Sequence, residues 1–234
     1  MVEAGRLTDS PAPVTTYATG SFVDCWQPTG EWTAMAACVV PGVRQALEQR
    51  WPRRIEFINS THYPGVDFSA YGAGLGADRM ANVAAAHALN PDTAVLVIDC
   101  GTALNTVAVD GAGKFRGGVI LPGRQTSLVA LGRQTAQLPE FTAKPAENMF
   151  NPLGMNTEDG IRNGVNLTLI AAVERIIRDT RRQDGLGKCK VWLTGGDAAF
   201  YAENLPHDLG ATIAPLPLTL YGISLATPSH NPQA

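Results

Sequence analysis

The sequence predicts an α/β protein, and three features of its apolar pattern carry that prediction. Residues 94–98 form an uninterrupted apolar run, as expected of a strand that is buried on both faces. Two more strands are predicted at 104–109 and 114–121, the second of them broken by Gly117-Gly118. Both follow after short turns, which favours an antiparallel meander. Strands and helices alternate after the meander and also before it. We therefore expect two α/β halves, at 1–91 and 92–234.

The first half shows strand–helix–strand–helix without an opening meander. Residues 34–40 form an apolar strand that ends at Pro41, which suits the first turn of a helix. Charged and apolar residues alternate over 53–58, which predicts a second strand, and the alanine-rich run 80–89 predicts a helix. Two short strands are also expected near the start of the chain, at 14–18 and 21–26.

The second half continues with helices and two more strands. The predicted elements are helices at 125–137 and 157–182, a strand at 191–193, a helix at 198–204, an edge strand at 210–217 and a closing helix at 218–226. Apolar residues recur along one face of the long helix, and Thr157 is its expected N-cap.

Composition narrows the classes of function. Of 234 residues, 45% are hydrophobic and 17% are charged, so the chain can bury a large core. A net charge of -3 gives no reason to expect nucleic acid or an anionic membrane as a partner. No apolar run approaches the roughly 20 residues of a membrane span, and the first residues lack a signal-peptide core. A cytoplasmic protein is expected.

None of the four cysteines has CxxC spacing, so we do not expect a zinc site.

Residues suited to phosphate chemistry stand where the first meander strand ends. Gly101 permits a tight turn and the close approach of a ligand, and successive amides in such a turn can cradle a phosphate. Thr102 adds a hydroxyl, and Asp99 is an oxygen ligand for a cation. The motif predicts a strand–turn–strand phosphate loop. An ordinary hairpin with an acidic edge stays open as an alternative, because Asp-x-Gly-Thr is a short motif.

Two further motifs stand at the starts of helices. Asp78 and Arg79 precede the alanine-rich helix, where an aspartate is also favoured simply as a cap. Gly195 and Gly196 lie between the strand at 191–193 and its following helix. Glycines there let a flat ligand lie against the backbone, although a tight strand–helix turn would use them as well.

Six motifs taken together resemble the type III pantothenate kinases of the actin and sugar-kinase superfamily. They are GADR at 76–79, DCGTA at 99–103, GGVILPG at 117–123, LP at 138–139, NT at 156–157 and TGGDA at 194–198. No single motif is decisive; their order and spacing across residues 34–226 carry the resemblance. It implies two ribonuclease-H-like halves of the actin-like ATPase fold with a cleft between them, the first half truncated at its N-terminus.

The resemblance also implies an activity, the transfer of the ATP γ-phosphate to the primary hydroxyl of pantothenate on the route to coenzyme A. Asp78 would be the catalytic base, and Asp99 would face the metal: Mg²⁺ bound with ATP, and a monovalent cation, K⁺ or NH₄⁺. The implied pantothenate residues are Tyr71, Gly76, Arg79 and Thr157, and in some members the last comes from the neighbouring subunit of a homodimer. The implied nucleotide residues are Gly101, Thr102, Asn105, Gly195 and Gly196.

The chain departs from the family pattern in three places. The family's first phosphate loop, Asp-x-Gly-Asn-Thr, does not occur in residues 1–33. Asn105 and Val107 stand where the family commonly has Thr and Asp. Tyr71 lies closer to Gly76 than the family tyrosine does. Because losing one preorganised donor typically costs about 10²–10³-fold in rate, more than one hypothesis follows.

The first hypothesis is a working kinase whose true start lies upstream of Met1. The second is a homologue without turnover that binds pantothenate or nucleotide, or that serves as a partner subunit. A different phosphotransferase or phosphohydrolase of the same superfamily is a third, and the GADR motif argues against it.

Overall fold

A computed structural model of the chain describes residues 22–72, 74–144 and 152–228. The described residues form two compact units. The first runs up to Ala85 and also contains the residues from Leu218 onward, and the second runs from Ala86 to Pro217. Both units combine helices with strands, which confirms the predicted α/β class.

The elements follow one another largely as predicted. The helices are α1 (Phe22–Cys25), α2 (Pro41–Arg50), α3 (Ala77–Leu89), α4 (Arg124–Gln134), α5 (Thr157–Thr180), α6 (Ala198–Asn204) and α7 (Leu218–Ser224). The strands are β1 (Ala34–Ala36), β2 (Ile55–Phe57), β3 (Val95–Cys100), β4 (Ala103–Val109), β5 (Phe115–Gly117), β6 (Ile120–Pro122), β7 (Lys190–Thr194) and β8 (Ala211–Ile213). Two short 3₁₀ helices, Ser60–His62 and His207–Leu209, complete the set in the described segments.

The prediction of a strand at 21–26 is wrong, because this segment forms α1. The rings of Phe22 and Trp26, four residues apart, stack with centroids 5.5 Å from each other. The Trp26 N–H donates to the Phe22 carbonyl at 2.9 Å, so one helical turn brings the two rings to the same side. Trp26 also contacts Trp32 and Trp51, with ring centroids 5.0 and 4.9 Å away. Aromatic packing therefore overrides the strand-like composition. The strand expected at 14–18 falls outside the described residues.

The predicted third meander strand is divided in two by a pair of glycines. Gly117 has a φ of +100°, and a Cβ on Gly118 would collide with the carbonyl oxygen of Thr106. The chain therefore breaks between β5 and β6, and both short strands pair antiparallel with β4.

The first unit is built on a two-stranded parallel sheet, β1 with β2. Helix α7 packs against α3 so closely that a Cβ on Gly222 would collide with the carbonyl oxygen of Ala81. Tyr63 Oη donates a hydrogen bond to the Gly222 carbonyl at 3.0 Å, and Thr219 Oγ1 donates to Asn82 Oδ1 at 2.9 Å. These contacts place α7 in the first unit, although the predicted halves assign residues 218–226 to the second.

The second unit contains a six-stranded sheet of order β5-β4-β3-β7-β8, with β6 also on β4. Strand β3 is antiparallel to β4 and parallel to β7, and β7 is parallel to β8. An antiparallel meander extended by parallel strands is the ribonuclease-H-like arrangement that the resemblance implies. Because β3 is central, its carboxyl end at Asp99 and Cys100 lies between two neighbouring strands.

Helix α5 covers this sheet with one apolar face. Val173 and Ile177 are fully buried against a core that includes Ile98 and Leu193. The N-cap of the helix is Asn156 rather than the predicted Thr157, because Asn156 Oδ1 accepts the backbone N–H of Asp159 at 2.9 Å. Among the helices of the described segments, none combines the length and apolar composition that crossing a bilayer requires.

Candidate functional site

The end of β3 gathers predicted residues from three strands. Asp99 is paired with Asn105 on β4 and with Thr194 on β7. The Asn105 amide nitrogen lies 3.5 Å from Asp99 Oδ2, at the limit of a hydrogen bond. The parallel β3–β7 pairing therefore delivers the TGGDA turn to the same edge of the sheet as the DCGTA turn.

The Gly195 turn lies directly on the end of β3. Gly195 has a φ of +89°, and a Cβ there would stand 2.6 Å from Asp99 Oδ1 and 2.8 Å from the Cys100 carbonyl oxygen. The Asp197 N–H donates to that same carbonyl at 2.9 Å. Gly195 and Gly196 are exposed, and a Cβ on Gly196 would meet no atom within 4 Å. A flat ligand can therefore approach the backbone here.

The start of α4 is hydrogen-bonded to the Gly101–Thr102 turn. The Thr102 carbonyl accepts the N–H of Gly123 at 2.9 Å and the hydroxyl of Thr126 at 2.6 Å. Gly123 is needed because a Cβ there would collide with the Gly101 carbonyl oxygen. The Gly101 N–H is used within the turn, where it donates to Ala103 at 3.3 Å, whereas the Thr102 side chain is exposed.

Asp99 and its strand neighbour Asn105 each carry a side-chain oxygen of the kind that binds hard cations. Asn105 Oδ1 is buried and accepts no hydrogen bond from the described residues. Nowhere in the described ranges do three His, Cys, Asp or Glu side chains converge as a metal cluster. A cation at this position would take Asp99 and Asn105 as protein ligands and complete its shell with phosphate oxygens and water, as Mg²⁺ commonly does.

Arg124, which the sequence analysis did not single out, pairs at this edge with Asp197 of the TGGDA motif. Arg124, the first residue of α4, is fully buried, and its Nη1 donates to Asp197 Oδ1 at 3.1 Å. Burial, reinforced by the nearby carboxylates of Asp99 and Asp197, raises the pKa of the Cys100 thiol far above its usual range. Cys100 is therefore a protonated core residue.

The sequence signal that could have found Arg124 was its position directly after Pro122-Gly123, at the start of a predicted helix.

In the first unit, the GADR motif opens α3 with a folded-back carboxylate. Asp78 Oδ1 accepts the N–H of Arg79 at 2.9 Å. The same oxygen lies 2.5 Å from where a Cβ on Gly76 would be. A glycine two residues before the aspartate is therefore a steric requirement of this carboxylate position, which explains the Gly-x-Asp spacing.

Arg79 follows that aspartate directly and contacts Tyr71. Arg79 is buried, its Nη1 donates to Tyr71 Oη at 3.3 Å, and its guanidinium carbon lies 5.5 Å from the tyrosine ring centroid. Tyr71 also lines an open cavity of about 390 Å³ together with polar side chains, which are Ser60, Thr61, Asp67 and Ser69. The first unit thus holds a paired cationic and aromatic group that starts at the residue after Asp78.

The predicted site residues divide between the two units. Those in the first are Tyr71, Gly76, Asp78 and Arg79, and those in the second are Asp99, Gly101, Thr102, Asn105, Thr157, Gly195 and Gly196. Thr157 is the exposed first residue of α5.

Comparison with known proteins gives this geometry a family. Residues 23–179 match the family model described as type III pantothenate kinase. Similar proteins include a type III pantothenate kinase from Porphyromonas gingivalis, 33% identical over 71% of this chain and 62% of the relative. Another, from Petrotoga mobilis, is 38% identical over 71% of this chain and 66% of the relative. The chain thus spans about three-fifths of the length of the first curated relatives that it matches.

A solved structure shows the same fold at low sequence identity. It belongs to a Campylobacter jejuni protein assigned to the Baf family of transcriptional activators. The TM-score is 0.57 at 16% identity, over 89% of this chain and 86% of the other. The family match covers well over half of the chain, including the GADR and DCGTA motifs. This chain therefore belongs to the type III pantothenate kinase family.

Proposed function

We propose that this protein is an ATP-dependent kinase that phosphorylates the primary hydroxyl of pantothenate to give 4′-phosphopantothenate, a step of coenzyme A biosynthesis. The observation that carries the proposal is the assembly at the end of β3, where Asp99, Asn105 and two glycine turns meet. Family membership supports the substrate pair.

The nucleotide would occupy the β3 edge. The exposed Gly195 and Gly196 offer bare backbone to the adenosine, and the Gly101–Thr102 turn offers a hydroxyl to the phosphates. Asp99 and Asn105 Oδ1 would hold a cation, Mg²⁺ with the ATP or the monovalent K⁺ or NH₄⁺. Such a cation neutralises charge on the phosphate oxygens, which is what phosphoryl transfer chiefly requires.

The residues of the GADR motif, at the start of α3, would bind pantothenate, the substrate that accepts the phosphoryl group. The Asp78 carboxylate is the general base that accepts the hydroxyl proton of pantothenate. The hydroxyl oxygen attacks the γ-phosphorus of ATP as the bond to the β,γ-bridging oxygen breaks and ADP leaves. Arg79 contributes a positive charge for the pantothenate carboxylate, and Tyr71 orients that charge through its hydroxyl and ring. Gly76 leaves room for Asp78.

The proposed assembly is a cytoplasmic homodimer that forms through α5. Leu167 on this helix is 46% exposed, and Met155 just before it is 88% exposed. Gly160 and Gly164, on the same helix, have no side chain, and a Cβ on either would meet no atom within 4 Å. A second α5 could approach such a surface closely, and Thr157 at its start would then face the neighbouring subunit.

Turnover with magnesium-ATP, potassium and pantothenate tests the proposal, with 4′-phosphopantothenate detected by mass spectrometry. Asp78→Asn should lower kcat by about 10²-fold or more, because general-base assistance contributes about 10²–10⁴-fold. Calorimetric binding of pantothenate should persist. Asp208→Asn, which changes an exposed carboxylate on the His207–Leu209 helix, is the matched control and should leave turnover unchanged.

Two outcomes would contradict this assignment. Full turnover by Asp78→Asn would remove Asp78 as the base. Binding of pantothenate without any product would favour the second hypothesis, a homologue that binds the ligand but does not turn over.

A further inference from the structure

In the second unit, the side chain of Arg124 is completely buried and contacts α5, α6, the Gly195 turn and the segment after α4. Arg124 is 0% exposed, and each of its three nitrogens has an acceptor. Nε donates to Asn166 Oδ1 on α5 at 3.2 Å, Nη1 to Asp197 Oδ1 at 3.1 Å, and Nη2 to the Lys144 carbonyl at 3.2 Å. The guanidinium carbon lies 3.7 Å from the centroid of the Phe200 ring on α6.

Stability alone does not account for a buried guanidinium. Burying a charge carries a large desolvation cost, and well-packed apolar residues of similar volume often stabilise a core as well or better. What an apolar residue cannot reproduce is the rigid fork of donors, which fixes the relative positions of several acceptors at once. The contacts of Arg124 therefore indicate a geometric role.

The acceptor that bears on the proposed site is Asp197. It precedes α6 at the N-cap position, yet its side chain makes no capping hydrogen bond to that helix. Its carboxylate, 26% exposed, instead pairs with Arg124, while its N–H donates to the Cys100 carbonyl at the end of β3. Asp197 is thus held on both its main chain and its side chain, and Gly195 and Gly196 directly precede it.

We propose that Arg124 is a positioning residue for the nucleotide: through Asp197 it holds the Gly195–Gly196 turn in the shape that receives the nucleotide. The inference rests on the proposed role of that turn in binding ATP. Because its side chain is fully buried, Arg124 would act through Asp197 and not by touching the nucleotide. Its hydrogen bond to the Lys144 carbonyl also ties the turn to the end of the described segment that follows α4.

Steady-state kinetics of four variants test this. Arg124→Met keeps the volume and the contact with Phe200 but removes every donor. It should raise KM for ATP by about 10-fold or more, because small misplacements of binding groups cost up to about 10²-fold, and leave KM for pantothenate near the wild-type value. Asp197→Asn should show the same selectivity with a smaller effect. In the double variant, KM for ATP should be no higher than in Arg124→Met alone.

Arg162→Met is the matched control. Arg162 is a second largely buried arginine, and it donates to the Thr142 carbonyl of the same segment and to Glu158, both at 2.7 Å. Like Arg124, Arg162 joins two segments through its hydrogen bonds, but neither segment is the Gly195 turn. Its replacement should lower the unfolding midpoint while KM for ATP stays near wild type.

Amide hydrogen exchange of the ligand-free protein separates this inference from the proposed function. In Arg124→Met the Asp197 N–H should exchange faster than in wild type, whereas in Arg162→Met it should not. An unchanged rate in Arg124→Met would overturn the inference, as would a rise in KM for both substrates alike or equal KM effects in the two arginine variants. A wild type that shows neither ATP binding nor turnover would refute the proposed function, and the exchange result would still decide whether Arg124 holds the turn.

Discussion

At Gly195 a single residue satisfies two demands that no other residue type satisfies together. Its φ of +89° lies in the left-handed region, and the position of its missing Cβ is within 2.6 Å of Asp99 Oδ1. Gly196 beside it has open space and no positive φ. The two adjacent glycines therefore have different physical reasons to be there, which can be measured.

Gly195→Ala should lower the free energy of unfolding by about 1–2 kcal/mol from the backbone conformation alone, with more from the contacts to Asp99 and Cys100. Urea denaturation of the ligand-free protein measures the change. Gly196→Ala is the control and should cost clearly less, because its Cβ has room. Equal losses in the two variants would show that the steric contact with β3 is unimportant.

Helix α5 illustrates the scale of a whole element. Its buried face follows from the apolar periodicity, but its starting point depends on one side chain. Asn156 Oδ1 accepts the Asp159 N–H at 2.9 Å, and its amide nitrogen lies 2.8 Å from Asp159 Oδ2. This reciprocal contact ends the preceding loop and orients the first turn, where Thr157 is exposed.

Asn156→Ala should therefore destabilise the protein by about 1 kcal/mol, the typical cost of losing an N-cap. Thermal or urea unfolding gives the value. Thr157→Ala serves as the comparison, since Thr157 is the first helical residue and not the cap. If Thr157→Ala were the more damaging change, the assignment of the cap would be wrong.

At the scale of the whole molecule, the proposed homodimer predicts that the particle in solution has twice the mass of one chain. Leu167→Glu should shift the protein from dimer to monomer, because a carboxylate on α5 would have to be desolvated in the contact. Sedimentation velocity reports the change. Leu220→Glu alters a similarly exposed leucine on α7, 48% exposed against 46%, and should leave the mass unchanged. A wild type that sediments as a monomer would contradict the proposed dimer.

The order and type of most elements follow from the sequence. A strand buried on both faces is a continuous apolar run, whereas a helix with one buried face repeats its apolar residues about every 3.6 positions. The apolar run at 94–98 became β3, and the run from Thr157 became α5. Where local packing competed with that pattern, the prediction failed, as with α1 and its stacked Phe22 and Trp26.

By itself, the sequence determined the α/β class, the family motifs and the chemical types of the site residues, because these depend on local spacing and side-chain chemistry. Tertiary structure alone decided that the Gly195 turn lies on Asp99, that Arg124 is buried against Asp197 and that α7 packs on α3. Each of these contacts joins residues far apart in the chain, so it depends on strand pairing and close packing, which local sequence patterns do not encode.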